Sequence, residues 1–361
     1  MLLILDPAPP HLRWCHCSGP PGEWVSGVSS PSAVLANEIH FDTADHIALT
    51  LRQGGSAFRE PVTPLTEESL RELESVVPAL PEHNAITARV ARSLLARRPQ
   101  IPTALLCDSA LFTHLPDEAT HYALPESLRR LGARRRGGFG LLHQWAWEQI
   151  RHGLCVSPER VVSIHLGNQT NVVALRHGRP VETSLGFTPV EGIVSSTGCG
   201  DIDPTIVFQL EAAGMSPEEI RRVLSQESGL TALAGRPCDL SDLLHVGDDE
   251  RLRFAREVYL YQVVKSIGAS IALLGGVDVA LFLCRSVTDS EGLIAEIGDH
   301  LLPLGARMRP APERFLASHR LWRLTEKGSP IAGLALEFSE WTVLSETAFG
   351  AVVNSGGDLY A

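Results

Sequence analysis

Between Val161 and Thr183, strand-like runs follow one another with turns too short to hold a helix, and this stretch limits the fold more than any other feature. Val161 to Leu166 reads as a strand and Gly167-Asn168 as a turn. Asn171 to Leu175 is a second strand, and Pro180 to Thr183 continues the sheet after the His177-Gly178 hairpin turn. Leu252 to Leu274 is the longest helical run, apolar over much of its circumference and stopped by Gly275-Gly276. Val277 to Cys284 follows as a buried strand. Hairpins and strand–helix–strand units in one chain indicate α/β architecture with mixed sheets.

The flanking regions fit that frame. Leu2 to Leu5 is a short buried strand that ends near Asp6, because Pro7, Pro9 and Pro10 cannot donate to a ladder. Thr66 to Val77 and Asn84 to Arg98 have helical spacing, the second with Ile86, Val90 and Leu94 at four-residue intervals, and Pro99 ends it. Thr103 to Cys107 is a buried strand that delivers Asp108 to its carboxyl end, where open α/β sheets bind ligands. Ser216-Pro217-Glu218-Glu219 is a capping box opening a helix through about Gln226. Trp341 to Leu344 reads as a late strand and Thr347 to Val353 as helix-like. No internal repeat is visible.

Composition removes several function classes. At 361 residues the chain exceeds the size at which single cores stop growing, so about two domains are expected. A net charge of -11 repels phosphate backbones, which disfavours nucleic acid and anionic membranes as partners. The seven cysteines are scattered and odd in number, so no disulfide framework is expected. Cys15 and Cys17 flank His16 with His11 nearby, but no second pair converges on them; they read as buried thiols rather than metal ligands. No apolar run reaches the ~20 residues that span a bilayer. The N-terminus lacks a basic region and a full apolar stretch, so no secretory signal is read and a cytoplasmic location is expected. Arg134-Arg135-Arg136 reads as a solvated loop, with anion binding as the other reading.

More specific signals run through the whole chain in order. Ile164-His165-Leu166-Gly167-Asn168, Glu182 through Gly192 and Gly200-Asp201-Ile202-Asp203-Pro204 closely resemble, in order and spacing, the signature region of the acetate kinase family. Gly54-Gly55 with Phe58, His83-Asn84, and Cys107-Asp108-Ser109-Ala110 followed by Tyr122-Ala123-Leu124-Pro125 resemble further motifs of that family. The resemblance implies two related α/β domains of the actin-like (ribonuclease H-like) ATPase type around a central cleft. The expected division is 1–110 plus 347–361 for a trimmed N-terminal domain and 111–346 for the C-terminal one. A homodimer is also implied, with the 252–274 helix either at its interface or buried within the second domain.

The family reaction moves the γ-phosphoryl group of ATP to a small carboxylate. Such transfers depend on positioning and on cations that neutralise charge. By resemblance, Asp108 matches the essential aspartate, and His165, Gly167 and Asn168 match the phosphate-facing turn. Arg13 matches the terminal cation of the N-terminal loop, His143 the last histidine of a Gly-Thr-Ser-His motif, and Glu346 a glutamate associated with magnesium. Other positions depart from the pattern. The N-terminal loop reads Asp6 to Arg13 with three prolines, and Thr50 replaces a substrate-binding arginine, with Arg52 two residues on. Phe139 or Gly140 replaces a phosphoryl-steadying histidine, and Gly198 replaces an arginine. Cys284 to Asp289, including Arg285, replaces a glycine-rich nucleotide loop. Losing one transition-state donor costs roughly 2.7–4 kcal/mol. These losses predict a divergent member that is impaired or inactive in transfer and serves as a binding or regulatory homologue, with ATP and Mg as cofactors only if it is active. The alternative is an atypical acetate or short-chain carboxylate kinase with altered substrate or donor. A plain acetate kinase would show two guanidinium groups beside Asp108.

Overall fold

The computed structural model describes residues 1–18, 23–32, 44–130, 132–153, 158–304, 308–316, 321–325 and 331–354. The chain divides into two compact units: Met1–His114 with Gly138–Trp145 and the segment from Ser339, and Leu115–Gly137 with Ala146–Phe338.

The first unit is built on β1 (Leu2–Ala8), β2 (His11–Cys17), β3 (Val25–Ser29), β4 (His46–Leu51), β5 (Val62–Pro64) and β6 (Thr103–Cys107), in the spatial order β3-β2-β1-β4-β6-β5. β1, β4 and β6 are parallel; β2, β3 and β5 join antiparallel. Leu3, Leu5, Leu49, Leu51 and Leu105 are inaccessible on these strands and pack with Leu70 and Leu73 of the Glu67–Ser75 helix and Val90 and Leu94 of the Pro81–Arg97 helix. Thr66 caps the first of these helices with a reciprocal bond to Ser69.

Two expectations are corrected here. β1 does not stop at Asp6 but runs to Ala8, and the proline-rich stretch is the tip of a hairpin with β2. The parallel pairing to β4 ends at Leu5, so Pro7 lies beyond that ladder, where its missing donor is not required. Trp341–Leu344 is not a strand but the first turns of the Glu340–Asn354 helix, which packs on β1 and β6. The adjacent β-branched Thr342 and Val343 suggested extension, and burial of the helix face against the sheet overrides that propensity.

The second unit contains β7 (Arg160–His165), β8 (Asn171–Arg176), β9 (Arg179–Thr183), β10 (Val279–Cys284), β11 (Met308–Leu316), β12 (Leu321–Thr325) and β13 (Ala332–Glu337), in the order β11-β12-β13-β10-β7-β8-β9. β7, β10 and β13 are parallel and the rest join antiparallel. The series β9-β8-β7-β10-β13 therefore repeats β3-β2-β1-β4-β6 in order and orientation. The repeat invisible in the residues is present in the topology. The Glu250–Leu274 helix buries Leu252, Ala255, Tyr259, Val263 and Ile267 in this unit's core and ends on Gly275 in the left-handed conformation.

Candidate functional site

The carboxyl ends of β1, β4 and β6 bring four charged side chains together. In the hairpin, Asp6 lies directly across from Arg13. The parallel register pairs Leu5 with Leu49 and Leu51 with Cys107, so one step on Asp6 comes beside Thr50 and Arg52 comes beside Asp108.

Asp6 is fully buried and saturated with donors. Arg13 donates to its Oδ2 through Nε at 2.9 Å and also through Nη2; Thr50 Oγ1 donates to Oδ1, and Arg52 Nη2 reaches Oδ1 at 3.0 Å. Burial pushes the Asp6 carboxyl up, but the Arg52 and Arg13 guanidinium groups and the Thr50 hydroxyl outweigh it and hold the group below the usual range. Arg13 also donates to Glu340 at 2.6 Å and lies over the Trp341 ring at 5.6 Å. Arg52 is the bridge of the cluster, with Nη1 3.8 Å from Asp108 Oδ2.

Asp108 holds the start of the Gly140–Gly153 helix. Its Oδ2 accepts from Phe139 N at 2.9 Å, its Oδ1 from Leu141 N at 3.3 Å, and its carbonyl from Gly140 N at 3.0 Å. The carboxylate is thus the anion at a helix N-terminus. Burial nevertheless raises its pKa, against the opposing effects of Arg52 and the two amides. Gly140 is required there: a Cβ would sit 2.3 Å from the Asp108 carbonyl oxygen. Phe139 occupies the left-handed region at φ 60°, and neither residue offers a side-chain donor. His143 is buried one turn further along this helix. His83, on the Pro81–Arg97 helix, is held neutral, its pKa lowered to about 4 by burial and by Arg52. Glu346 accepts from Trp145 Nε1 at 2.6 Å.

The second unit presents a different arrangement at the equivalent strand ends. His165 closes β7, is buried, and stands edge-on to Phe338 at 5.6 Å. The next turn holds Gly167, whose carbonyl accepts from Thr170 Oγ1 at 3.2 Å, and exposed Asn168. Asn168 Oδ1 accepts from Leu240 N at 3.3 Å, at the start of the Leu240–Leu244 helix, and its carbonyl accepts from Ser196 N at 2.8 Å. Arg285 is exposed at the end of β10, where Ser286 caps the following helix.

Asp108, Arg13 and Arg52 therefore belong to one cluster in the first unit, together with Asp6 and Glu340, which the sequence did not single out. His165, Gly167, Asn168 and Arg285 belong to the second. The signal that finds Asp6 is the hairpin: reading His11–Cys17 as a strand folded back on β1 places Arg13 opposite it. Of the two guanidinium groups expected beside Asp108 in an active enzyme, Arg52 takes that place, and Arg13 is drawn to Asp6 and Glu340.

Comparison with known proteins gives a consistent result. A sequence model of the acetokinase family matches residues 34–312. The acetate kinase of Syntrophobacter fumaroxidans is 32% identical over 311 residues, covering 84% of this chain and 74% of that protein. The crystal structure of Porphyromonas gingivalis acetate kinase superposes with a TM-score of 0.85 at 22% identity, covering 97% of this chain and 99% of that one. A propionate kinase from Francisella tularensis gives 0.82 at 20% identity, covering 96% and 98%. The fold is thus the two-domain α/β fold of these kinases.

Proposed function

The chain belongs to the acetokinase family, and from that premise we propose that it is an atypical carboxylate kinase, transferring the γ-phosphoryl group of ATP to a small carboxylate to give an acyl phosphate and ADP. A carboxylate oxygen forms the new bond to phosphorus, and the bond from phosphorus to the bridging oxygen of ADP breaks. The observation that carries this reading is the position of Arg52, 3.0 Å from Asp6 and 3.8 Å from Asp108. A cation lost at Thr50 returns on the same sheet face two residues later.

In this reading Arg52 orients the acceptor carboxylate with its planar fork and counters charge developing on the transferred group. Asp6 positions Arg52. Within the second unit, His165, Gly167, Asn168 and Arg285 are assigned to the nucleotide; Arg13 belongs to the ionic cluster of the first unit. A magnesium ion escorting ATP needs only one or two protein carboxylates, because phosphate oxygens and water complete its shell. Asp108 fits that need: each of its oxygens accepts one amide and keeps a lone pair. Glu346, with one oxygen on Trp145, is the other carboxylate of this set. The ion would neutralise charge on the phosphate oxygens. Exposed Phe254, Tyr261 and Leu273 on the Glu250–Leu274 helix support a homodimer, and a cytoplasmic location accords with a carboxylate and a nucleotide as ligands.

One observation favours the second reading, a binding or regulatory homologue without transfer. Asp6 pairs with both arginines, and Phe139 and Gly198 supply no cation. Trapping acyl phosphate as hydroxamate over a panel of short carboxylates decides between the two. The native chain is expected to form product, with Asp108→Asn and Arg52→Gln lower by about 10²–10³. Product from the native chain no greater than from Asp108→Asn leaves the regulatory reading.

A further inference from the structure

The second unit carries a concentration of positive charge that the proposed reaction does not use. Of the three consecutive arginines, Arg135 is committed: Nη1 donates to the Thr183 carbonyl at 3.2 Å, and the group lies 3.5 Å from both Glu182 and Glu191. Its neighbours are not. Arg134 makes one long bond to the Thr120 hydroxyl, at 3.3 Å. Arg136 donates through Nη2 to the Gly132 carbonyl at 3.1 Å, while its Nη1 is buried without a hydrogen-bond partner. Among the described residues neither Arg134 nor Arg136 has a carboxylate partner.

Glu191, in the same loop system, is already engaged. It accepts from the Tyr122 hydroxyl and from Phe187 N at 3.0 Å, in addition to facing Arg135. Arg136 is also fixed in place. Its backbone N–H bonds the Gly186 carbonyl at 3.0 Å, and its guanidinium lies over the Phe187 ring at 4.7 Å. Stacking on an aromatic face leaves the edge of the guanidinium for in-plane bonds. Burial and the like charge of Arg134 both act against the charged form of Arg136. A half-buried cation with an unsatisfied nitrogen, held beside a second cation, lacks a counter-charge.

We propose that Arg136, with Arg134, forms an oxyanion-binding site on the Phe187 platform of the second unit, taking the carboxylate or phosphate group of a small metabolite. Both groups present coplanar oxygens to a guanidinium fork. The site does not depend on the phosphoryl-transfer reading.

The test is calorimetric titration of the full chain with inorganic phosphate and, separately, with acetate, in an Arg52→Gln background that removes the cation beside Asp108. That chain is expected to bind one of the two anions. Adding Arg136→Gln should weaken binding at least tenfold, and adding Arg134→Gln severalfold. Preference for phosphate assigns a phosphorylated ligand; preference for acetate assigns a carboxylate. Among the described residues the Arg134 side chain hydrogen-bonds Thr120 alone, so its variant tests the proposal even where Arg136→Gln does not fold. Binding of neither anion in the Arg52→Gln chain overturns the site, as does an affinity unmoved by both added substitutions. Loss of hydroxamate product with this titration intact would remove the kinase reading and leave the site standing.

Discussion

The two units solve one topological problem in different chemical terms. In each, three parallel strands end side by side: β1, β4 and β6 in the first, β7, β10 and β13 in the second. The middle strand of each set is followed at once by an arginine, Arg52 after β4 and Arg285 after β10. In the first unit that arginine is drawn into a dense ionic cluster with Asp6, Arg13, Asp108 and Glu340. In the second, the strand ends carry a backbone turn, Gly167-Asn168, whose polar groups bond neighbouring chain segments. The first unit holds opposite charges in register; the second holds its turn through contacts to neighbouring backbone. Substitutions should therefore act through electrostatics in one and through local geometry in the other.

The strongest way to break this contrast is Asp6→Asn. Removing one partner of a buried ionic network leaves uncompensated charge, at a cost of about 3–5 kcal/mol. Arg13 and Arg52 keep 28% and 29% of their side-chain surface, so the loss is expected near the lower bound. Urea denaturation reads it directly. A change under about 1 kcal/mol would mean that solvent satisfies the two guanidinium groups and that the cluster is not a unit.

Gly140→Ala comes next. Its new Cβ would meet backbone rather than a flexible side chain, 2.3 Å from the Asp108 carbonyl oxygen, and overpacking of this kind costs about 1–3 kcal/mol. The displaced helix start would also pull two amides off the Asp108 carboxylate. Stability and hydroxamate yield should fall together; a stable chain with unchanged yield would detach Asp108 from its helix.

The sequence made the frame of both units legible and left the cluster obscure, for definable reasons. Buried strands such as Thr103–Cys107 and the capping box at Ser216 are local signals, set by hydrophobicity and side-chain to backbone bonds. Asp108 was found because it follows directly on such a strand. The Asp6–Arg13–Arg52 grouping depends on strand register between Asp6 and Arg52, 46 residues apart, and no local pattern encodes register. Proline at position 7 argued for a loop, which hid the hairpin that pairs Asp6 with Arg13. The same holds at Trp341–Leu344, where local propensity favoured a strand and packing on β1 and β6 produced a helix.

A pH titration of stability sharpens the electrostatic half of the comparison. His83 has a folded pKa of about 4 against 6.5 when unperturbed, because of burial and Arg52. Between those values the unfolded chain binds a proton that the folded chain does not, so stability declines as pH falls from about 6.5 to about 4. Partial exposure reduces the effect to about 1–2 kcal/mol. Replacing His83 by Gln should flatten that part of the curve, measured as the urea midpoint at pH 7 and pH 4.5. An unchanged slope would place the pH sensitivity elsewhere.

The smallest effect on stability, and the one that separates geometry from chemistry in the second unit, belongs to Asn168→Ala. The side-chain oxygen accepts one long bond, 3.3 Å from Leu240 N, at the start of a five-residue helix. Losing a cap-like bond of this kind costs about 0.5–1 kcal/mol. Asn168 is exposed, and its amide nitrogen can still donate to an anion while the oxygen holds Leu240. If that nitrogen faces a phosphate oxygen, KM for ATP rises about tenfold with kcat largely kept, since about 1.4 kcal/mol of uniform binding is lost. A loss of stability with no change in KM would make the turn purely architectural. The second unit would then contribute a scaffold, and the catalytic burden would rest on Arg52 and Asp108.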